Sequence, residues 1–131
     1  MRTHLLDANV LIALSFGEHE HHEAALRWFG QEPGSFATSP IVEGALARFV
    51  LRIGESPATL TGLLDHWRSH PRCVFWPDDV PYAEVDLADV SGHRQVTDVY
   101  LVSLAVAHGG RLATLDRALV GLRPNGTTLV T

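Results

Sequence analysis

Met1-Arg2-Thr3-His4-Leu5-Leu6-Asp7-Ala8-Asn9-Val10-Leu11-Ile12 opens the chain. It reads as a short strand running into an apolar helix, with Asp7 at the junction. In an open α/β sheet, ligands bind outside the carboxyl ends of the strands. Glu43, Asp98 and Asp116 repeat the placement of Asp7, each where a hydrophobic strand ends or a helix begins. Carboxylates gathered at one sheet edge repel one another, and burying unpaired charges costs on the order of several kcal/mol each. A divalent cation offsets that cost, so the pattern points to a carboxylate-lined metal site.

Outward from this stretch, strand and helix signals alternate to the end of the chain with no repeat, low-complexity tract or linker-like break. This is the βαβα pattern of a parallel sheet. Candidate strands are Thr3 to Leu6, Ser35 to Thr38, Cys73 to Trp76, Arg111 to Leu115 and Thr127 to Val130. Candidate helices are Ala8 to Phe16, His21 to Phe29, Pro40 to Ile53, Pro57 to Ser69, a short one near Tyr82 to Val90, Val96 to His108, and a brief turn from Arg117 to Val120. The third has the clearest limits: Ser39 can cap it, Pro40 suits its first position and Gly54 follows its last apolar residue. The helix from Val96 is apolar almost all round, as expected of a central buried helix.

The 131 residues suit a single domain with a real core. No apolar run approaches the roughly 20 residues of a membrane span, and no signal peptide is evident, so a soluble, cytoplasmic protein is expected. The lone Cys73 cannot form an intrachain disulfide and is expected to pack beside Val74 and Phe75. A net charge of -5 argues against nonspecific coating of nucleic acid, which depends on neutralising many phosphates, but does not exclude a nuclease. All ten basic residues are arginine, so phosphate contacts fall to guanidinium groups, backbone amides or metal.

Each acid also has an innocent reading. Asp98 and Asp116 can cap helices through their first-turn amides. Glu43 lies one residue beyond the capping-box position, which Val42 occupies, and Asp7 ends a strand; caps explain these two less well. Oxygen ligands of this kind suit magnesium or manganese, whereas zinc wants more nitrogen or sulfur. Such a site turns water into a nucleophile and stabilises an in-line displacement at phosphorus. Asn9 and Ser39 lie close enough in sequence to orient a water or a metal-bound oxygen.

Leu5-Leu6-Asp7-Ala8-Asn9-Val10-Leu11, Ser39-Pro40-Ile41-Val42-Glu43, Val96-Thr97-Asp98-Val99-Tyr100-Leu101 and Ala113-Thr114-Leu115-Asp116-Arg117 occur in that order. Together they resemble the PIN-domain ribonucleases, and more narrowly the VapC-type toxins of bacterial toxin-antitoxin pairs. The resemblance covers essentially the whole chain. It implies an α/β fold, a three-layer α/β/α sandwich with a central, mainly parallel sheet. It also implies a magnesium- or manganese-dependent endoribonuclease acting through metal-activated water. By the same resemblance Asp7, Glu43 and Asp98 form the acidic core, Asp116 is a more variable fourth acid, and Asn9 and Ser39 support them. A small cognate antitoxin of the VapB type, an RNA substrate and a homodimer are the implied partners.

Other residues are open to two readings. Arg94 and Arg117 stand near Asp98 and Asp116 and can bind the RNA substrate, or can form structural ion pairs. His19-Glu20-His21-His22 has alternating histidines that can bind a transition metal, but without defined geometry it reads better as a solvated loop entering a helix. Trp28, Trp67 and Trp76 are expected in the core or facing a partner. A phosphoaspartyl phosphatase needs a lysine, absent here, and a second aspartate where Asn9 stands. A metal-independent histidine ribonuclease lacks a coherent histidine pair. A noncatalytic PIN-fold binding module and a structure-specific DNA nuclease remain as alternatives.

Overall fold

The computed structural model describes residues 2–131. Five short parallel strands, β1 (His4–Leu6), β2 (Phe36–Thr38), β3 (Cys73–Phe75), β4 (Arg111–Thr114) and β5 (Thr127–Leu129), form one sheet in the order β3-β2-β1-β4-β5. The helices are α1 (Ala8–Ser15), α2 (His22–Gln31), α3 (Pro40–Arg52), α4 (Pro57–Arg68), α5 (Gln95–Ala107) and α6 (Arg117–Leu122). The chain builds outward from β1 to β2 and β3, then returns to the other side of β1 for β4 and β5. That reversal is the switch point at which α/β sheets bind ligands.

Leu5 is central, paired with Ala37 on one side and Leu112 on the other, and all three are fully buried. A strand buried on both faces reads as a continuous apolar run, which is how Leu5 and Leu6 read. Helix α1 packs on α2 and α3, and α3 on α4, making one helical layer, while α5 packs on β1 and β4. Because parallel crossovers are right-handed, reversing direction after β3 sends α5 to the opposite face. The three-layer arrangement expected from the sequence is therefore present, with the sheet parallel throughout.

Three local expectations differ. No helix spans Tyr82 to Val90; a 3-10 turn covers Tyr82–Glu84 alone. Beyond it Asp86 accepts the Ala88 amide and Asp89 takes a positive φ of 66°, local bonding that competes with a helix. The segment after Asp116 is a capped helix rather than a brief turn. Helix α5 buries Val99 to Val102, Leu104 and Ala105 but leaves Val106 53% exposed, so it is not enclosed all round. Cys73 is half-buried, yet its neighbours Val74 and Phe75 are exposed on the edge strand, where the Arg68 guanidinium lies 4.8 Å from the Phe75 ring centre.

The tryptophans serve packing. Trp67 donates from Nε1 to Ser15 Oγ at 2.9 Å, Trp28 meets His4 edge-on, and Trp76 stacks on His108 at 4.6 Å. His19 to His22 form the turn into α2, with His19 Nδ1 accepting the His21 amide and His22 Nδ1 2.8 Å from Ala13 O. No helix among the described residues is long and apolar enough to cross a membrane.

Candidate active site

The carboxyl ends of β2, β1 and β4 lie side by side, and each delivers polar residues to the same sheet edge. Asp7 follows β1 directly and is buried. Its Oδ2 accepts a 2.7 Å hydrogen bond from the buried Thr114 hydroxyl at the end of β4, and its Oδ1 accepts the Ala8 amide at 2.8 Å. The Asp7 backbone amide donates to Ala113 O at 2.9 Å, locking the exit of β1 to β4. Asp7 is thus the N-cap of α1 as well as a candidate ligand.

Thr114 is the hub of this corner. Besides donating to Asp7, its Oγ1 accepts the Asp116 amide at 3.1 Å and lies 3.4 Å from Asn9 Nδ2. Asn9 Oδ1 accepts the Leu115 amide at 3.3 Å, so Asn9 fastens α1 to the β4 exit. Asp116 caps α6 through Oδ1 and the Leu119 amide, as its innocent reading expected. Asp98 is not a cap. It sits within the first turn of α5 and shares a cleft of about 50 Å³ with Asp116, Gln95 and Leu119.

Burial and neighbouring charge act on two of the aspartates. Burial pushes the Asp7 carboxyl up, opposed by its two hydrogen bonds and aided by the charge of Asp116. Asp98 is pushed up to about 6, first by burial and then by the charges of Asp7 and Asp116. Glu43 stands apart: its Oε2 accepts the Thr38 hydroxyl at 2.9 Å, and its charge adds to the burial that raises the Cys73 thiol. Among the described residues, no three histidine, cysteine, aspartate or glutamate side chains are arranged to hold a metal ion. Asp7, Asp98 and Asp116 share one corner, whereas Glu43 is held by Thr38 at the end of β2.

The ion pairs among the described residues all involve histidines: His4 with Glu32, His21 with Glu20, and His108 with Asp79. Arg94 and Arg117 are therefore exposed without a carboxylate partner, against the structural ion-pair reading. The aspartates also lack a protein counter-charge. By donor chemistry, hard carboxylate oxygens that are partly buried and not neutralised by arginine suit magnesium or manganese rather than a softer metal. Ser39, at the end of β2, is fully buried and its hydroxyl has no hydrogen-bond partner. It is the N-cap of α3 in backbone geometry alone.

Thr38, Thr114 and Asp78 were not singled out from the sequence. The first two are β-branched residues ending strands, which read as strand formers. A threonine ending each of the two strands that flank β1, with an acid two to five residues on, is the signal that was available.

An acid-edged parallel sheet whose ligand corner lies at the switch point defines a class of carboxylate-centred folds, and the PIN domain matches residues 4–122. The chain belongs to the PIN-domain family. Within it, the chain is 47% identical over 128 residues to Ribonuclease VapC29 of Mycobacterium tuberculosis, covering 98% of this chain and 96% of that protein. It is 44% identical over 126 residues to Ribonuclease VapC39 of the same organism, covering 89% and 91%. The crystal structure of VapBC2 from Rickettsia felis, bound to a DNA fragment from its promoter, superposes with a TM-score of 0.70 over 98% of this chain and 99% of that one, at 17% identity. These likenesses make the chain a VapC-type PIN protein.

Proposed function

We propose that this VapC-type protein is the toxin of a toxin-antitoxin pair, an endoribonuclease whose Asp7, Glu43, Asp98 and Asp116 hold magnesium or manganese. The carrying observation is 47% identity over 98% of the chain to a named ribonuclease, with Asp98 and Asp116 lining one cleft at the sheet edge that Asp7 follows. When bound, the cation supplies Lewis acidity to water and to the phosphodiester oxygens. The chain's own residues do the rest. Thr114 and the Ala8 amide fix both oxygens of Asp7, and Thr38 orients Glu43. Arg94 and Arg117, exposed and free of carboxylate partners, are the side chains proposed to meet RNA phosphates. Ser39 keeps a buried hydroxyl without a protein partner at the start of α3, and Asn9 ties α1 to the β4 exit.

Hydrolysis by water breaks the P–O3′ bond and leaves a 5′-phosphate and a 3′-hydroxyl, with no part for the RNA 2′-hydroxyl as nucleophile. Mass spectrometry of the product ends tests this. Abundant 2′,3′-cyclic phosphate that persists in EDTA rejects the reading in favour of histidine acid-base cleavage. Matched RNA and DNA substrates separate the ribonuclease from a DNA nuclease, and absence of cleavage on both returns the noncatalytic binding module.

Removal of the hydroxyl that holds Asp7 has a measurable cost. Thr114→Val keeps the strand former but lowers activity by about 10- to 100-fold, the range for losing an outer-shell partner of a metal ligand. Thr114→Ser keeps the hydroxyl and stays within about threefold of wild type by the same reasoning. Equal losses in folded Val and Ser variants rule out the positioning role.

The antitoxin partner follows from the VapC resemblance, and the VapBC2 neighbour is itself a complex. The early helices were expected to carry surplus apolar surface for such a partner. Most of it is spent inside: Val10, Leu11, Leu14 and Ala25 are buried, and Phe16, Trp28 and Phe29 pack against the core. What remains is a groove of about 460 Å³ between α1, α2 and α4, lined by Leu14, Leu26, Phe29, Leu63 and Trp67, with Leu26 51% exposed. An amphipathic antitoxin segment suits this groove. The homodimer is a further part of the proposal, tested by light scattering of the purified chain.

A further inference from the structure

Ser39 stands at the N-cap of α3, but another residue does the capping. The first turn of a helix leaves backbone amides without intrahelical partners. Here the Ile41 amide donates to Oδ2 of Asp78 at 3.1 Å, across 37 residues of sequence. A carboxylate at this end is also favoured by the helix dipole. The consequence is visible at Ser39, whose buried oxygen is left without a partner. An orphaned buried hydroxyl is rare in a folded chain and calls for a ligand or a functional reason.

The residues around Asp78 extend the same connection. Asp79 Oδ1 lies 2.9 Å from Nε2 of His108 at the C-cap of α5, and His108 stacks on Trp76. The Tyr82 ring lies 4.9 Å from that of Tyr100, also on α5. Residues 76–82 thus link α3, which carries Glu43 one turn in, to α5, which carries Asp98.

We infer that Asp78 is a positioning residue for the acidic site: by capping α3 it sets Glu43 and releases the Ser39 hydroxyl to serve a bound ligand. The inference rests on the metal-site reading above. Asp78 touches no reacting atom. It acts through the first turn of α3, so its loss weakens cation binding while the fold persists.

Calorimetric titration of the full chain with manganese chloride tests it, together with amide exchange at Ile41. Asp78→Ala lowers manganese affinity about tenfold, as for other outer-shell losses, and speeds Ile41 exchange. Asp78→Asn, which keeps an acceptor oxygen, restores both to within about threefold of wild type. Should Asp78→Ala not fold, Asp78→Glu carries the oxygens one methylene too far and shows the same loss. Wild-type manganese affinity in the folded Ala or Glu variant overturns the inference. An Asp7→Asn control separates the two levels. If it loses manganese binding while Asp78→Ala keeps it, the inference alone falls; if it binds like wild type, the site reading falls and takes this inference with it.

Discussion

Asp98→Asn is expected to abolish RNA cleavage, by on the order of 10³-fold or more for loss of a metal-site charge, and at the same time to stabilise the cation-free protein. Both effects have one cause. Folding holds Asp98 against burial and against the charges of Asp7 and Asp116, which raises its carboxyl from 3.8 to about 6. A carboxyl whose pKa is raised by folding favours the native state in its protonated form. Its contribution is fully present below 3.8 and is lost as pH rises through about 6. Near neutral pH the ionised group therefore opposes folding. Two pKa units correspond to roughly 3 kcal/mol, and discounting for solvent screening at this half-exposed position leaves about 1 kcal/mol.

Thermal melting in EDTA at pH 7 should accordingly place Asp98→Asn above wild type by roughly 3 °C, with the difference vanishing near pH 4. Asp7→Asn should be equally inactive, because it removes the charge of a second acid at the same corner. A cleavage-competent Asp98→Asn protein, or one that melts below wild type in EDTA at pH 7, defeats the account. Instability released by neutralising acids marks groups kept for function rather than for folding.

How much of this corner was legible beforehand differs residue by residue. Asp7 was readable because a short apolar strand ends on it, and strand ends at one sheet edge are where ligands gather. Glu43 was readable because it misses the capping-box register. The hydroxyls of Thr38 and Thr114 were hidden, since a β-branched residue at a strand end satisfies local propensity without any further role. Their partners are set by tertiary register: Thr114 reaches Asp7 across 107 residues. Ser39 illustrates the opposite case. The local helix-start rule located the cap position correctly, but a distant carboxylate took the amide, and no local rule reports a competitor that arrives through the fold. The segment from Tyr82 failed differently, because Asp86 and Asp89 offered the backbone local alternatives that outweighed a weak helical pattern.

Gly110→Ala is expected to be strongly destabilising although it adds only one methyl. Gly110 leads into β4, and a Cβ built on it collides with the backbone carbonyl oxygen of Thr3 and meets the Trp76 ring at 3.0 Å. On the other side of β1, Gly34 has the same relation to the carbonyl of Arg2. The entry of β1 thus passes between two glycines. Neither neighbour can swing aside as a flexible side chain would, because the Thr3 carbonyl accepts the Arg111 amide at 3.3 Å and the His4 amide donates to Ser35 O at 3.2 Å. Relief requires parting β1 from β4 or β2. Overpacking of a rigid contact costs about 3 kcal/mol or more, a large share of the roughly 5–15 kcal/mol that holds a domain folded, and lowers Tm by roughly 10 °C. Because β1 and β4 carry Asp7 and Thr114, activity should fall with the loss of order. Gly62→Ala provides the contrast. Gly62 lies exposed within α4 with nothing near its Cβ position, so alanine there should stabilise by about 1 kcal/mol through helix propensity alone. Melting curves of the two variants beside wild type decide the matter: a Gly110→Ala protein melting within about 2 °C of wild type would show that the sheet yields at its central strand, and the close passage of β1 would lose its structural importance.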